Sequence, residues 1–315
     1  MTRRTLLVYN PSAEAAEVYG KLIRLPRRGL TVHVASTPEG AAPALADTEI
    51  LYTWGFPPAL LARMPRLRWI QVMGAGVERL LVPDLPAGVV VTRAPGIFGP
   101  WMAEYTLGWC LWVTQRMELL REQQRQARWK NVDPRRLRGA TMCVIGLGDI
   151  GRSIARLARA FGMTVVGMTR TPRKVREAHR VYRGGDLRRA LAKADYVVLT
   201  VPLTPATRGL IGARELAAMK PSAWLINVAR GPIVDEAALL DALRAERIRG
   251  AILDVFDEEP LPPQHPLWKC ANVVITPHIS GPTTPGEIAP IFADNLRRYL
   301  AGRPLQHVVD HRRGY

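Results

Sequence analysis

Long apolar runs are missing from this chain. None of its 315 residues belongs to an uninterrupted hydrophobic stretch approaching the roughly 20 residues that a membrane-spanning helix needs. The amino terminus, Met1-Thr2-Arg3-Arg4 followed by Thr5–Tyr9, lacks the apolar core of a signal peptide and reads as a first strand. Cysteine is scarce: Cys110, Cys143 and Cys270 lie in apolar contexts without metal-ligand spacing. That excludes a disulfide-stapled scaffold and a cysteine-held metal, and points to reduced core thiols in a cytoplasmic protein. Acidic residues are also short, with 27 Asp and Glu against 44 Lys and Arg, a formal charge of +17. The excess reads as arginines scattered through helices, such as Arg152, Arg156 and Arg159, forming solvated faces that would also attract anionic ligands into a cleft. No helix-turn-helix, zinc-finger or aromatic RNA-binding signature accompanies the charge, so a nucleic-acid partner is not expected.

What is present is an alternation of short β-branched runs and helical patterns, long enough for two domains of the α/β class. Candidate strands in the first hundred residues are Leu6–Tyr9, Leu30–Ala35, Glu49–Tyr52, Trp69–Met73 and Val89–Thr92, enough for a small doubly wound unit. One long helix from about Trp101 to Arg128, with Ala103, Leu107, Leu111 and Leu119 on apolar faces, reads as a crossover. A second series follows at Thr141–Ile145, Thr164–Met168, Tyr196–Thr200, Trp224–Val228, Ala251–Phe256 and Val273–Thr276. These six strands fit a Rossmann unit. The charged stretch Pro172–Arg183 reads as a solvated loop or helix, and a last helix spans about Glu287–Leu300.

Gly146-Leu147-Gly148-Asp149-Ile150-Gly151 directly follows one of these strands and opens a helical pattern, Arg152–Phe161. Glycines in that context allow a tight turn, backbone approach to a pyrophosphate and close helix–strand packing, while the helix N-terminus supplies N–H donors. The end of the next strand reads the ribose. A carboxylate is usual there for NAD, but this chain has Thr169-Arg170-Thr171-Pro172-Arg173. A hydroxyl and two guanidiniums suit a 2′-phosphate, which favours NADP while leaving NAD possible.

Three later strands each run into a reactive group. Trp224–Ala229 leads to Arg230, Ala251–Phe256 to Asp257, Glu258 and Glu259, and Asn272–Pro277 to His278. Ligands of open α/β sheets bind outside the carboxyl ends of strands, so a guanidinium, a carboxylate and an imidazole are aimed at one place. Arg230 suits a substrate carboxylate and carbonyl, and His278 suits proton transfer near neutral pH. Glu259 beside the imidazole would favour its protonated form and orient the ring. His33, His179, His265, His307 and His311 lack a strand-end context and read as surface residues.

These segments resemble the D-isomer-specific 2-hydroxyacid dehydrogenases over about Gln71 to Pro282. The resemblance rests on Gly146–Gly151, Pro202–Thr207, Asn227–Gly231 with Val234-Asp235-Glu236, Asp254–Pro260, Pro266-Leu267-Trp268 and Thr276–Ile279 in that order. It implies a Rossmann dinucleotide-binding domain (97–282) inserted into a smaller flavodoxin-like α/β substrate domain (1–96 and 283–315). It further implies that Arg230, Glu259 and His278 hold the family's catalytic roles, and that Ala75 and Gly76 in Gly74–Val77 bind the substrate carboxylate through backbone N–H groups. Asp254, Ala229 and Gly281 would line the nicotinamide, and Pro202 and Thr207 the adenosine side. A homodimer is implied, with Trp101, Trp109, Trp112 and Trp129 as interface anchors, although core packing explains the first three equally well. The departures are informative: Thr169 and Arg170 replace the NAD-type acid, as in NADPH-dependent glyoxylate/hydroxypyruvate reductases, and Thr200 stands where many relatives carry His. The carboxylate of Glu259 argues against formate dehydrogenases, which have Gln there. Two other readings stay open: a dinucleotide-sensing corepressor-like scaffold without turnover, and a phosphite-type dehydrogenase.

Overall fold

Short β-branched runs linked by helical segments favour parallel sheets, because each right-handed crossover lays its helix on a sheet face and buries the strand between. The computed structural model of the chain describes residues 4–23, 29–171, 174–311 and 313–314. The chain divides into two compact units, one running to Ile97 and resuming at Thr283, the other spanning Phe98–Pro282.

The first unit holds five parallel strands: β1 (Arg4–Tyr9), β2 (Leu30–Ala35), β3 (Thr48–Thr53), β4 (Trp69–Val72) and β5 (Val90–Thr92). Their order, β2-β1-β3-β4-β5, is the flavodoxin-like doubly wound arrangement. The helix Pro285–Leu300 joins this unit through its aromatic face, where Phe292 stacks on Tyr52 with centroids 3.9 Å apart. A buried polar line fixes the register: Trp69 Nε1 donates to Thr92 Oγ1 (2.8 Å), Thr92 to Gln71 Oε1 (2.8 Å), and Asn295 Nδ2 to the same oxygen (3.1 Å). Each of these buried groups has a partner, so the network specifies one arrangement instead of costing desolvation.

The second unit holds seven parallel strands where six were expected: β6 (Thr141–Ile145), β7 (Thr164–Met168), β8 (Arg180–Tyr182), β9 (Tyr196–Leu199), β10 (Trp224–Asn227), β11 (Gly250–Leu253) and β12 (Val273–Ile275). Their order is β12-β11-β10-β9-β6-β7-β8. The added strand β8 lies in the stretch expected to be a solvated loop or helix. It pairs with β7 at the sheet edge by burying Tyr182, while Arg180 lies 4.7 Å over the Tyr182 ring. The order reverses between β6 and β9, which opens a crevice at their carboxyl ends.

Three further expectations need correction. The long crossover helix is two helices, Phe98–Thr114 and Met117–Arg125, because Arg116 takes a left-handed conformation (φ 55°). The second of these buries none of its residues, and Leu119 is 48% exposed rather than packed. Cys110 and Cys143 are core residues but Cys270 is only half-buried; all three are free. The basic excess is not evenly scattered either. Residues 135–193 carry fifteen Lys and Arg against three Asp and Glu, whereas residues 194–282 carry eight against ten.

Candidate active site

The glycine loop leaves β6 and turns into the helix Asp149–Ala160. Gly146 N–H donates to Met168 O (3.0 Å), and the Thr200 hydroxyl donates to Gly146 O (2.6 Å), tying the loop to β7 and β9. A Cβ on Gly151 would lie 1.9 Å from Gly146 O, so only glycine allows the helix to start this close to the strand. A Cβ on Gly148, the helix N-cap, would meet nothing within 4 Å, and no side chain caps the helix. Asp149 is exposed and Ile150 half-buried in the first turn. An uncapped helix start behind an open glycine is a phosphate cradle, and these residues fit a dinucleotide pyrophosphate.

At the carboxyl end of β7 the Thr169 hydroxyl donates to Thr171 O (2.9 Å), which folds the segment back on itself. Arg170 and Thr171 are exposed, and Arg173 lies outside the described residues. Past β9, Thr207 turns inward: its hydroxyl donates to Pro202 O (2.6 Å) and accepts from Thr204 N–H (2.8 Å), closing the 202–207 loop.

Arg230, Glu259 and His278 follow the adjacent strands β10, β11 and β12. His278 Nδ1 and Glu259 Oε2 are 2.9 Å apart, and Phe256 N–H donates to Glu259 Oε1 (3.1 Å). Partial burial pushes the Glu259 carboxyl up, but the His278 and Phe256 hydrogen bonds, with the charges of His278 and Arg230, outweigh it and hold the group below its ordinary value. Arg230 is half-buried; one guanidinium nitrogen donates to Ala229 O (2.6 Å). His278 has a left-handed backbone (φ 53°), which aims its ring off the end of β12.

Several positions that sequence reading left without a role build this geometry. The buried Asn227 donates to Arg230 O (3.0 Å) and accepts from Ala229 N–H (3.1 Å), shaping the turn that presents Arg230. A Cβ on Gly231 would sit 2.0 Å from the Phe256 carbonyl carbon, so glycine lets the Arg230 turn touch the segment bearing Glu259. The run Asn227–Gly231 was the available signal, but its packing partner lies in another strand connection. Asp254, expected to line a nicotinamide, is fully buried and both its oxygens are occupied within the protein. Ala229 is buried beneath the Arg230 guanidinium, and Gly281 lies beside Phe98 and Met102, with 3.3 Å to each from an ideal Cβ. His265 and His179 are not idle surface residues. His265 pairs with Glu236 (2.7 Å), and Val165 N–H donates to His179 Nδ1 (2.9 Å).

In the other unit, Gly74–Val77 follows β4, with Ala75 and Gly76 half-buried. Gly74 O accepts from Ala94 N–H (2.9 Å), whereas among the described residues no acceptor meets the N–H of Ala75 or Gly76. Two such donors in one turn suit a carboxylate. No group of three or more potential metal ligands, and no helix long and apolar enough to cross a membrane, occurs among the described residues.

Comparison with known proteins places this arrangement. Residues 107–280 match the NAD binding domain of the D-isomer specific 2-hydroxyacid dehydrogenases. Glyoxylate/hydroxypyruvate reductase A of Photorhabdus laumondii subsp. laumondii is 32% identical over 98% of this chain and 99% of its own. A D-isomer specific 2-hydroxyacid dehydrogenase family protein of Aeromonas salmonicida subsp. salmonicida A449 matches with a TM-score of 0.91 and 37% identity, over 98% of this chain and 100% of that one. The D-isomer specific 2-hydroxyacid dehydrogenase of Xanthobacter autotrophicus Py2, solved with NADPH and MES, matches with a TM-score of 0.86 and 35% identity over 100% of both chains. The fold and its glycine loop define an NAD(P)-dependent oxidoreductase. The chain belongs to the D-isomer specific 2-hydroxyacid dehydrogenase family.

Proposed function

We propose that this enzyme reduces a small 2-oxo acid of the glyoxylate or hydroxypyruvate kind to the D-2-hydroxy acid, with NADPH favoured over NADH. The observation that carries this is the 2.9 Å His278–Glu259 pair, next to Arg230, on the sheet that holds the glycine loop. A reduced nicotinamide dinucleotide, when bound, supplies a hydride. Gly146, Gly148, Asp149, Ile150 and Gly151 would hold its pyrophosphate, Pro202 and Thr207 its adenosine side, and Ala229, Asp254 and Gly281 the neighbourhood of its nicotinamide. Thr169, Arg170, Thr171 and Arg173 would hold the 2′-phosphate.

Arg230 anchors the substrate carboxylate and polarises the carbonyl through charge-assisted hydrogen bonds. Because Nδ1 of His278 faces Glu259, Nε2 is the nitrogen left to hold the proton that the new alkoxide takes. Glu259 keeps its charge through neutral pH and steadies the imidazolium that must form. The turn at Ala75 and Gly76 offers N–H donors for the acid group. Glyoxylate/hydroxypyruvate reductase A as a relative and NADPH in a solved neighbour support the substrate and cofactor readings. The free cysteines support a cytoplasmic setting. A homodimer is supported by the exposed apolar side chains of Met117, Leu119, Leu120 and Trp129 on an otherwise polar segment; sedimentation should give twice the 35.0 kDa chain mass, and a monomer would reject the dimer.

The deciding experiment measures oxidation of NADPH and of NADH with glyoxylate, hydroxypyruvate, pyruvate and phenylpyruvate, with phosphite plus NADP as a separate arm. Turnover should be highest with NADPH and the two smallest oxo acids. It should fall by about a thousandfold in His278→Ala and about a hundredfold or more in Arg230→Ala. Unchanged turnover in both variants would sink the assignment, and turnover on phosphite alone would replace it.

A further inference from the structure

The backbone of His278 needs an explanation. A left-handed φ of 53° is disfavoured for a residue with a side chain and persists only where its surroundings hold it. The N–H groups of residues 278, 279 and 280 all reach one residue. His278 N–H is shared between the Asp254 carbonyl (2.9 Å) and the Thr276 carbonyl (3.1 Å), while Ile279 N–H donates to Asp254 Oδ1 (2.9 Å) and Ser280 N–H to Asp254 Oδ2 (2.9 Å). The remaining donor to that fully buried carboxylate is the Thr276 hydroxyl, 2.6 Å from Oδ1.

A hydroxyl has one proton, and Thr276 gives its own to Asp254. The Tyr105 hydroxyl, 2.6 Å from Thr276 Oγ1, must therefore be a donor, and the line has one direction, Tyr105 to Thr276 to Asp254. Burial raises the Tyr105 phenol well above its ordinary value, with the nearby Asp254 charge acting the same way, so the proton stays on Tyr105 throughout the working range. Tyr105 lies inside the 17-residue helix Phe98–Thr114, which gives the line a rigid origin 171 residues away in sequence.

We infer that Tyr105 and Thr276 are positioning residues for the proton donor: their hydrogen-bonded line through Asp254 holds the loop that keeps His278 in its left-handed conformation. The inference rests on the proton-donor reading of His278, and its test separates the two. Tyr105→Phe and Thr276→Val remove single hydroxyls at nearly constant volume, and Thr276→Ser restores one. Two readouts are compared: steady-state kinetics, and amide hydrogen exchange at residues 278–280, which needs no turnover. Tyr105→Phe should lower kcat about three- to tenfold and Thr276→Val at least as much, with KM for the oxo acid and for NADPH within about twofold of the parent. Exchange at residues 278–280 should accelerate in both variants, and Thr276→Ser should recover both properties. A lower melting temperature with unchanged kcat and unchanged exchange would overturn the inference, since a merely structural hydrogen bond predicts that pattern. Faster exchange in an enzyme that turns over no 2-oxo acid would keep the line and overturn the proton-donor reading instead.

Discussion

The two halves of the seven-stranded sheet share one architecture and work by different means. The β8-β7-β6 half, covered by residues 135–193, carries fifteen basic side chains against three acidic ones. The β9–β12 half, residues 194–282, is nearly balanced with eight against ten. In the first half the features that bear on a ligand are backbone geometry, namely the Gly151 approach and the uncapped helix at Asp149, and a diffuse positive field from the basic side chains. A polyphosphate needs little more, because N–H donors and fixed charge recognise it without an exact side-chain constellation. In the second half the work falls on particular side chains at successive strand ends, each held by specific partners: Asn227 for the Arg230 turn, Phe256 N–H for Glu259, Asp254 for the His278 loop. On the proposed function, one half binds by field and backbone and the other acts by placement.

A change confined to the second half should therefore reach turnover without reaching the cofactor. Glu259→Gln is the sharpest case, because it keeps shape and removes charge. It should lower kcat about a hundredfold while KM for NADPH stays within about twofold. Reduction needs a proton on the imidazole, and Glu259 is the partner of its Nδ1. The Glu259 carboxyl sits below its ordinary value of 4.5, so its contribution to stability is fully present above 4.5 and is lost only as pH falls through the lowered value. Glu259→Gln should correspondingly flatten the loss of thermal stability below that pH. A kcat equal to the parent's, or a KM for NADPH that rises as far as kcat falls, would break the division between the halves.

The same division explains what the sequence made legible. Parallel strands announce themselves by β-branched runs, and the two-sheet α/β class follows from their alternation with helices. Strand β8 escaped because three residues, Arg180-Val181-Tyr182, sit in a charged stretch, and its burial comes from edge pairing, not from local pattern. The break at Arg116 escaped because no Gly or Pro marks it, and the apolar residues after it, Leu119 and Leu120, face outward. At the site, Arg230 and His278 were visible because each directly follows an apolar run on adjacent strands, whereas the third run leads to Asp257, Glu258 and Glu259, and the family resemblance picked Glu259 from these. The residues around them were not visible: Asn227 works through local bonds to the backbone of its own turn, which no residue pattern announces, while Gly231 and Tyr105 meet other connections, up to 171 residues distant. Arg173, read with Arg170 as a ribose-end cation, lies outside the described residues.

The smallest expected effect belongs to the first half, and it tests whether charge there is specific or only diffuse. Arg170 follows β7 where an NAD-type enzyme has an acid, and it is exposed. If it meets the 2′-phosphate, Arg170→Asp should raise KM for NADPH about tenfold, the scale of one charge-assisted contact at an exposed position. KM for NADH should stay level or fall, because the new carboxylate can accept a ribose hydroxyl, and kcat with either cofactor should hold. The surrounding basic residues predict a second signature. The parent's KM for NADPH should rise with ionic strength over the range where the screening length shrinks below about 10 Å, and that of NADH should rise less, since it lacks the extra phosphate charge. If Arg170→Asp leaves the NADPH to NADH ratio unchanged while salt still weakens both, the first half selects by field alone, and Arg170 is one solvated arginine among fifteen basic residues.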